Sequence, residues 1–407
     1  MKVLVLNCGS SSVKYQLINT EDQSALAKGI VQKIGMPGAL LTLEVPGKDQ
    51  VKISGEILDH IVAVDNVLGI LTHEEFGVLK DKNEIEGVGH RVVHGGEYFK
   101  DSVVIDSDVL KKIRDCIDYA PLHNPHNLKG INACIRILPD VPMVAVFDTA
   151  FHQTMPDYAY IYGIPHVLYK RYGIRRYGFH GTSHYYVSRR LRDLLKKEMT
   201  EIKLITCHLG NGCSIAAIRH GRSIDTSMGF TPLEGLLMGT RSGDLDPAIV
   251  LQVMAHEELT ASEATTMLNK HSGLIGISGI SSDMRDLEEN MAEKNDRAEL
   301  AHNVFCYRLK KYIGAYFVAM EGADAIVFTG GIGENSPETR RKSLEGLECL
   351  GVKLNVSRNR QAVGTETEIS KSDSLIKVFV VPTNEELVIA IDTEKLIGGS
   401  SDTGADL

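Results

Sequence analysis

The stretch VLVLNCGSSSVKYQLI, from Val3 to Ile18, decides how the rest of this sequence is interpreted. A hydrophobic run breaks at Asn7, crosses Gly9 and three serines, and continues as alternating polar and apolar residues through Lys14. This pattern predicts two strands joined by a turn of small residues. A plain hairpin would more typically use Asn-Gly or Asp-Gly. The hydroxyls and the lysine therefore leave two interpretations open, a simple chain reversal or a loop that holds an anion.

Length and charge restrict the class of protein. A chain of 407 residues is too long for one compact core, so we expect two domains. Lys and Arg number 44 and Asp and Glu number 53, which gives a net charge of 44 − 53 = −9. This balance argues against a nucleic-acid partner or an anionic membrane. A nucleotide would need a local positive site, usually one that includes a divalent cation.

Cysteine usage and the amino terminus indicate the compartment. The seven cysteines are odd in number and widely spread, which favours reduced thiols over disulfides or metal fingers. The chain starts a strand at once, without the basic and apolar segments of a secretion signal. No apolar run reaches the ~18 residues that a membrane span needs. We expect a cytoplasmic protein.

A second stretch repeats the opening layout. LITCHLGNGCSIAAIRHGRSIDTS, from Leu204 to Ser227, contains an apolar strand, a glycine-rich turn at His208 to Gly212, and an alternating strand. Two such copies about 200 residues apart indicate two halves of related architecture, although hairpins also resemble each other by chance. Both turns lack large side chains, so backbone N–H groups could converge on phosphate oxygens.

A third glycine turn lies in AIVFTGGIGENS, from Ala325 to Ser336. A buried strand runs into the glycines, and Ser336 before Pro337 predicts a helix start. Such a strand-to-helix turn is typical of a nucleotide site. Neither the dinucleotide fingerprint nor the P-loop motif is present, which excludes those two classes of nucleotide site.

Helical signals lie between and around these turns. Asp246-Pro247 and Thr260-x-x-Glu263 predict two helix starts. Leu191 to Glu201 is expected to form a charged surface helix, and the tail from Gly398 to Leu407 is expected to be disordered. Spacing within Arg297 to Glu321 predicts a helix whose buried face contains Leu300, Val304, Phe305, Leu309, Ile313, Phe317 and Met320.

Four polar clusters could carry chemistry. They are GHRVVHGGE with Arg91, MVAVFDTAFHQTMP with Asp148, RRYGFHGTSH with His180, and MGTRSGDLDP with Arg241. Taken singly, each has an ordinary explanation, such as a packed histidine or a solvated arginine. Together they supply what phosphoryl transfer needs. Arginine and histidine donate to phosphoryl oxygens, carboxylate or amide oxygens hold Mg²⁺, and glycine turns admit phosphate.

The sequence closely resembles the acetate kinases. The matching stretches run in order from Asn7 to Leu387 and are NCGSSSVKY, GHRVVHGGE, FDTAFHQTMP, RRYGFHGTSH, HLGNG, MGTRSGDLDP, SSDMRD, FTGGIGEN and PTNEEL. FDTAFHQTMP and GFHGTSH are typical of short-chain carboxylate kinases, whereas the glycine turns alone indicate only the wider superfamily of actin, sugar kinases and heat-shock chaperones. The resemblance answers the opening question in favour of an anion-binding turn.

The resemblance implies an α/β fold with two ribonuclease-H-like (actin-like ATPase) domains and a nucleotide cleft between them. We expect residues 1–150 with 385–407 to form the first domain and residues 151–384 to form the second, nucleotide-binding domain. The family also implies a homodimer. No nucleic-acid or membrane partner is expected.

The resemblance also assigns roles to residues. Asn7 and Glu385 match the magnesium positions, with Mn²⁺ as an alternative metal, because both offer the oxygen ligands that a hard cation prefers. The catalytic positions are Arg91, Asp148, His180 and Arg241. The substrate pocket positions are Arg91, Val93, Leu122, Phe179 and Pro232. The ATP positions are Lys14, His208, Leu209, Gly210, Asn211, Gly212, Asp283, Met284, Arg285, Gly331, Ile332, Gly333, Glu334 and Asn335. A carboxylate nucleophile is already ionised at neutral pH, so Asp148 is expected to orient Arg91 or a magnesium-bound water rather than act as a base.

The implied reaction is reversible, Mg²⁺-dependent, direct in-line transfer of the ATP γ-phosphoryl group to acetate, giving acetyl phosphate and ADP. A propionate or butyrate kinase of the same family is an alternative, although Val93 narrows the pocket compared with the alanine of propionate-preferring relatives. A non-catalytic nucleotide-gated module, like actin and the chaperones, is a third possibility. Those proteins lack the GHRVVHGGE arginine and the GFHGTSH histidine.

Overall fold

The structure, a computed structural model, describes residues 1–399. The chain divides into two compact units. Unit 1 contains Met1–Phe151 and the segment from Asn384 onward, and unit 2 contains His152–Thr383. The expectation of a disordered tail falls outside the described residues, apart from Gly398 and Gly399, which form a turn.

The described residues form strands and helices that are numbered here in chain order. The strands are β1 (Lys2–Cys8), β2 (Ser12–Asn19), β3 (Ser24–Gln32), β4 (Ala39–Glu44), β5 (Val51–Gly55), β6 (Gly87–Val92), β7 (Val103–Val104), β8 (Met143–Phe147), β9 (Lys203–Leu209), β10 (Cys213–Arg219), β11 (Arg222–Thr226), β12 (Ala325–Thr329), β13 (Thr367–Glu368) and β14 (Lys377–Val380). The helices are α1 (His60–Leu71), α2 (Ser107–Asp115), α3 (Asn124–Ile137), α4 (Asp157–Tyr160), α5 (His166–Tyr172), α6 (Gly181–Leu195), α7 (Pro247–His256), α8 (Ala261–Lys270), α9 (Gly273–Ser278), α10 (Met284–Ala292), α11 (Asp296–Ala319), α12 (Gly330–Asn335), α13 (Pro337–Leu344), α14 (Val356–Gln361) and α15 (Glu385–Ile397).

The sheet of unit 1 has the strand order β5-β4-β3-β2-β1-β6-β8-β7. Strand β1 pairs antiparallel with β2 and parallel with β6, which in turn pairs parallel with β8. Helix α15 packs closely on β6, and Gly89 makes this possible. A Cβ atom at Gly89 would lie only 2.5 Å from Cγ2 of Ile389 and 2.7 Å from Oγ1 of Thr393. The packing of α15 therefore requires glycine on β6 and places Glu385, the first residue of the helix, within unit 1.

The sheet of unit 2 repeats this layout, with the order β11-β10-β9-β12-β14-β13. Its three consecutive antiparallel strands β9, β10 and β11 correspond to β1, β2 and β3. Strand β12 pairs parallel with β9 on one side and with β14 on the other. Strand β6 has the same position between β1 and β8 in unit 1. The predicted repeat of related halves is therefore confirmed, and each unit has the ribonuclease-H-like strand order.

Several local predictions can be compared directly with the structure. Asp246 caps α7, Thr260 and Glu263 form a reciprocal capping box on α8, and Ser336 caps α13, as predicted. The prediction that Leu300 lies on the buried face of α11 is wrong, because the side chain of Leu300 is 53% exposed. The helix predicted at 191–201 is also wrong in its bounds, because α6 spans Gly181–Leu195 and Leu191 is buried.

The glycine turns are shorter than the sequence indicated. His208 and Leu209 belong to β9, so the second turn consists of Gly210 to Gly212. The glycines after β12 form the short helix α12 rather than an open loop. Backbone hydrogen bonds are satisfied inside the strand and the helix, so fewer N–H groups remain for a ligand than an extended loop would offer.

Candidate active site

A cavity of about 490 Å³ in unit 1 is lined by several of the predicted site residues, among them Asn7, Lys14, Arg91 and Glu385. Asn7 and Lys14 are directly opposite each other in the β1–β2 register, so their side chains share one face of the sheet. The turn between them is closed by a hydrogen bond from the Gly9 N–H to the Ser12 carbonyl at 2.8 Å. The opening turn therefore presents an amide and a lysine to one cavity.

Arg91 is held in a bidentate ion pair by Asp148. Its Nε and Nη2 atoms donate to the two carboxylate oxygens of Asp148 at 2.8 and 2.7 Å. Burial alone would lower the pKa of Arg91, but the charge and the hydrogen bonds of Asp148 outweigh burial and leave this pKa raised. Asp148 is 1% exposed, so its carboxylate is committed to the arginine. The geometry supports an orienting role for Asp148.

Glu385 places a carboxylate in the cavity that Arg91 lines. Its Oε2 lies 4.0 Å from Nε of Arg91, an ion-pair distance longer than that of Asp148. Burial raises the pKa of Glu385 to about 7, although Arg91 and Lys14 oppose the shift. A largely buried carboxylate that is incompletely neutralised by the protein is a good ligand for a cation.

Unit 2 brings His180, His208 and Arg241 together beside the second glycine turn. His180 directly precedes α6 and has a left-handed backbone, and its ring is tilted by 31° against that of His208 with 4.2 Å between centroids. A Cβ atom at Gly212 would lie 3.3 Å from Nη1 of Arg241 and 3.5 Å from Nε2 of His180. A histidine edge and a guanidinium therefore meet at one point on the glycine turn, where a larger residue would fill the space between them.

Arg241 is partly buried and has no carboxylate partner among the described residues. Its Nη1 donates to the carbonyl of Pro232 at 3.2 Å, and burial lowers its pKa. Within residues 1–399, no carboxylate contributes to that shift, and the opposing influence comes from Cys213. A desolvated guanidinium without a carboxylate is costly unless a ligand supplies the anion. The arrangement is suited to binding an anion.

Comparison with known proteins identifies the protein family. A model of the acetokinase family matches residues 2–391. The chain belongs to the acetokinase family. It is 60% identical over 401 residues to the acetate kinase of Caldanaerobacter subterraneus subsp. tengcongensis, an alignment that covers 98% of this chain and 100% of that relative.

Solved structures of acetokinase family members agree with this assignment. The Porphyromonas gingivalis acetate kinase structure has a TM-score of 0.94 and 48% identity, covering 97% of this chain and 99% of that one. The structure of a propionate kinase from Francisella tularensis subsp. tularensis has a TM-score of 0.91 and 42% identity over the same shares. The predicted fold class and the prediction of a phosphotransferase acting on a carboxylate are confirmed. The lower identity to the propionate kinase does not favour that alternative.

Within this acetokinase fold, the predicted ATP residues of unit 2 lie near one another. The Asn211 carbonyl accepts a hydrogen bond from the Gly239 N–H at 3.1 Å, and a Cβ atom at Gly239 would lie 3.0 Å from the Ser282 carbonyl oxygen. Ser282 precedes Asp283, which caps α10. A Cβ atom at Gly330, the first residue of α12, would lie 2.8 Å from the Leu209 carbonyl oxygen. The segments at 209–212, 283–285 and 330–335 therefore adjoin.

Some predicted ATP residues have internal contacts that already account for them. The carboxylate of Glu334 accepts hydrogen bonds from the Gly330 and Thr383 N–H groups at 2.8 and 3.2 Å. Arg285 pairs with Asp283 and is largely exposed, whereas the side chains of Met284 and Leu209 are buried. Their direct part in nucleotide binding remains a prediction. Ile332 is partly buried, and Gly331 and Asn335 are exposed at the start and end of α12.

The four apolar pocket positions differ in exposure. In unit 1, Val93 is buried two residues after Arg91, whereas Leu122 is 58% exposed. In unit 2, Phe179 is buried directly before His180, and the carbonyl of Pro232 accepts from Arg241. Val93, Phe179 and Pro232 each adjoin or contact one of the proposed phosphoryl-binding residues.

Two asparagines that the sequence analysis did not single out organise the unit 1 site. Oδ1 of Asn127 accepts from the Val93 N–H at 3.1 Å, and its Nδ2 donates to the Cys8 carbonyl at 3.0 Å. Asn124 makes the equivalent pair of bonds to the backbone of His94. Both asparagines lie on the first turn of α3 and are buried. In the sequence, the only indication of these two residues was their spacing of three positions at the start of a helix.

Replacing Asn127 with alanine is expected to loosen the turn after β1 and the segment after Arg91 together. The variant leaves a buried N–H and a buried carbonyl unpaired, which costs about 2–3 kcal/mol and lowers the melting temperature by about 5 °C. We expect kcat/KM to fall about tenfold because the site is less well ordered. Calorimetry and steady-state kinetics measure both effects. The control is Asn290→Ala, which removes one exposed bond to the Asp286 carbonyl and is expected to change neither quantity.

The described part of the chain contains no group of three or more His, Cys, Asp or Glu side chains placed to hold a metal ion. Among residues 1–399, no helix is both long enough and apolar enough to span a membrane.

Proposed function

We propose that the chain catalyses the reversible transfer of the γ-phosphoryl group of ATP to acetate, giving acetyl phosphate and ADP, by direct in-line attack. The observation that carries this proposal is the partly buried guanidinium of Arg241, which has no carboxylate partner among the described residues and meets the Nε2 edge of His180 at Gly212. Two donors that converge on one point are suited to the equatorial oxygens of a phosphoryl group in its transition state.

Asn7 and Glu385 would hold Mg²⁺. They line the same cavity and offer an amide and a carboxylate oxygen, and burial leaves Glu385 in need of a positive partner. The ion would neutralise charge on the β- and γ-phosphates of ATP. Lys14, on the same face of the sheet as Asn7, would contact the nucleotide phosphates.

The remaining groups would overcome the repulsion between acetate and a phosphate. Arg91, oriented by Asp148, would bind the acetate carboxylate and the phosphoryl group. Arg241 and His180 would donate to the equatorial oxygens as charge spreads over them. Val93, Leu122, Phe179 and Pro232 would surround the methyl group of acetate. The domains that we propose are residues 1–150 with 385–407 and residues 151–384.

The first test is whether the nucleotide turnover depends on acetate. ADP formation with ATP and Mg²⁺ is measured with and without acetate, and acetyl phosphate is trapped as the hydroxamate. The proposal expects both products only when acetate is present. Nucleotide turnover that is unaffected by acetate, without hydroxamate, would instead favour a nucleotide-gated module.

Acetate should be preferred over propionate, and propionate over butyrate. Each added methylene is worth about 1–3 kcal/mol in an apolar pocket, so kcat/KM should fall about 10–200-fold per carbon. Val93 is buried and narrows the pocket, so Val93→Ala should reduce the discrimination against propionate. Specificity constants for the three acids measure this. Equal constants for acetate and propionate in the wild-type protein would support the propionate kinase alternative.

We also propose a cytoplasmic homodimer. All seven cysteines are free and only Cys349 is exposed, which fits a reducing compartment. Support for the dimer comes from α7, an apolar helix without any buried residue, whose Leu251 is 71% exposed and Ile249 48% exposed. Such an apolar surface is unusual on a monomer and is typical of a subunit interface.

Replacing Leu251 with glutamate should separate the subunits. In an apolar interface the introduced carboxylate would be buried and unpaired, which is energetically costly. We therefore expect the dimer to dissociate at micromolar concentration. Analytical ultracentrifugation should then report one chain mass instead of two. The matched control is Leu375→Glu, at a leucine outside α7 that is 81% exposed, and this variant should remain dimeric. A wild-type protein that sediments as a monomer would contradict the proposal.

A further inference from the structure

We infer that a directional hydrogen-bond chain, Thr206 to His184 to Ser214, fixes the ring tautomer of His180 so that the proton is on Nε2. The inference rests on the proposed function, because it explains how His180 is prepared to donate to a phosphoryl oxygen. Thr206, His184 and Ser214 thereby become positioning residues that act through His180.

The chain consists of three short contacts in unit 2. Oγ1 of Thr206 lies 2.7 Å from Nδ1 of His184. Nε2 of His184 lies 2.7 Å from Oγ of Ser214, and the same Oγ lies 2.9 Å from Nδ1 of His180. Thr206, His184 and Ser214 are all 0% exposed, so water does not compete for these bonds. One serine hydroxyl thus joins the two histidine rings.

The chain must have a direction because His184 is neutral. The ring is fully buried, and burial together with the nearby rings of His152 and His208 lowers its pKa well below the usual value. A neutral imidazole has one N–H donor and one acceptor nitrogen. If His184 accepts from Thr206 it must donate to Ser214, and if it donates to Thr206 it must accept from Ser214. In the first case the Ser214 hydroxyl donates to Nδ1 of His180, and in the second case it donates to Nε2 of His184.

The position of the Thr206 proton decides between them. When Thr206 donates to His184, the three protons of the chain all lie in contacts of 2.7 to 2.9 Å. In the reverse direction the Thr206 hydroxyl must donate elsewhere, and its other acceptor, the Ala216 carbonyl, is 3.5 Å away. A buried hydroxyl gains little from so long a bond. The favoured direction gives Ser214 as the donor to Nδ1 of His180.

This direction has a consequence at the glycine turn. With Nδ1 of His180 acting as an acceptor, the neutral ring carries its proton on Nε2, the atom that approaches Gly212 near Nη1 of Arg241. Both groups then present N–H donors to the same point. The opposite tautomer would present a lone pair there, which would repel a phosphoryl oxygen.

The test is the His180 tautomer itself, read from ¹⁵N chemical shifts and two-bond ¹H–¹⁵N couplings of histidine-labelled protein, with His180→Asn used for assignment. In the wild-type protein we expect the Nε2–H form. In Ser214→Ala we expect a mixture of tautomers and a fall in kcat of about tenfold, with KM for acetate and ATP changed less than about twofold. Thr206→Val, which keeps the shape of the side chain, should also mix the tautomers from two bonds away.

Ser227→Ala is the matched control, because Ser227 is equally buried and accepts from the Ile215 N–H at 3.0 Å, outside the chain. It should leave the tautomer and kcat unchanged. An Nδ1–H ring in the wild-type protein, or an unchanged Nε2–H ring in both chain variants, would overturn the inference. The spectrum does not depend on turnover, so failure of the inference is distinguishable from absence of acetate-dependent activity, which would contradict the proposed function instead.

Discussion

Replacing Arg241 with alanine is expected to lower kcat by about 10²–10³-fold, because one charged donor to the transition state contributes about 3–4 kcal/mol. The side chain has no carboxylate partner within the described residues, so its removal abolishes no ion pair and should leave the fold intact. The contacts that are lost are the bond from Nη1 to the Pro232 carbonyl at 3.2 Å and the contact of Nη1 with Sδ of Met238 at 3.7 Å. Steady-state kinetics and circular dichroism measure the two effects.

Two further variants make this result interpretable. Arg190→Ala removes a partly exposed arginine of unit 2 that pairs with Glu366 at 3.0 Å, and such surface pairs are worth little, so activity should be unchanged. Arg241→Lys keeps the charge but not the planar fork, and it should recover only part of the loss. Near-wild-type turnover in Arg241→Ala would show that this arginine does not bind the phosphoryl group.

The second large effect concerns Arg91 and Asp148. Asp148→Ala should lower kcat/KM by about 10²-fold or more and also destabilise unit 1 by about 3 kcal/mol, because it leaves a largely buried guanidinium without its partner. Arg91→Ala should lower kcat/KM at least as much. If Asp148 acts by orienting Arg91, the double variant should be no less active than Arg91→Ala alone, since the orienting group has nothing left to orient.

A double-mutant cycle in kcat/KM, with thermal unfolding of all four proteins, measures the coupling. Strong non-additivity supports the orienting role that the 2.7 and 2.8 Å contacts indicate. If the double variant instead loses kcat/KM by the product of the two single losses, Asp148 has a separate catalytic function, such as holding a magnesium-bound water.

The parts of the fold that depend on neighbouring residues could be predicted from the sequence. The small-residue turn after Asn7, the capping box of Thr260 and Glu263, and the serine before Pro337 each satisfy backbone groups within a few residues, so their patterns are local. The repeat of the strand layout was visible for the same reason. The family motifs then supplied the site residues, which no local pattern could have assembled.

The parts that depend on tertiary contacts could not be predicted. Leu300 matches the helical period of α11, yet no element of the described structure covers it. Asn127 and Ser214 have ordinary sequence surroundings, and their importance comes from partners 119 and 34 residues away. The bidentate pair of Arg91 and Asp148 joins the ends of two parallel strands, which only the sheet order brings together. Sequence periodicity carries no information on such pairs.

The stereochemical course at phosphorus tests the central claim most directly. The protein is given ATP made chiral at the γ-phosphorus with oxygen isotopes, together with Mg²⁺ and acetate, and the configuration of the acetyl phosphate is determined. In the proposed site Arg91, His180 and Arg241 stabilise charge, and Asp148 is engaged by Arg91, so none of these four groups is assigned as a nucleophile. A single in-line transfer predicts inversion of configuration. Retention would require a phosphorylated enzyme and would contradict the account.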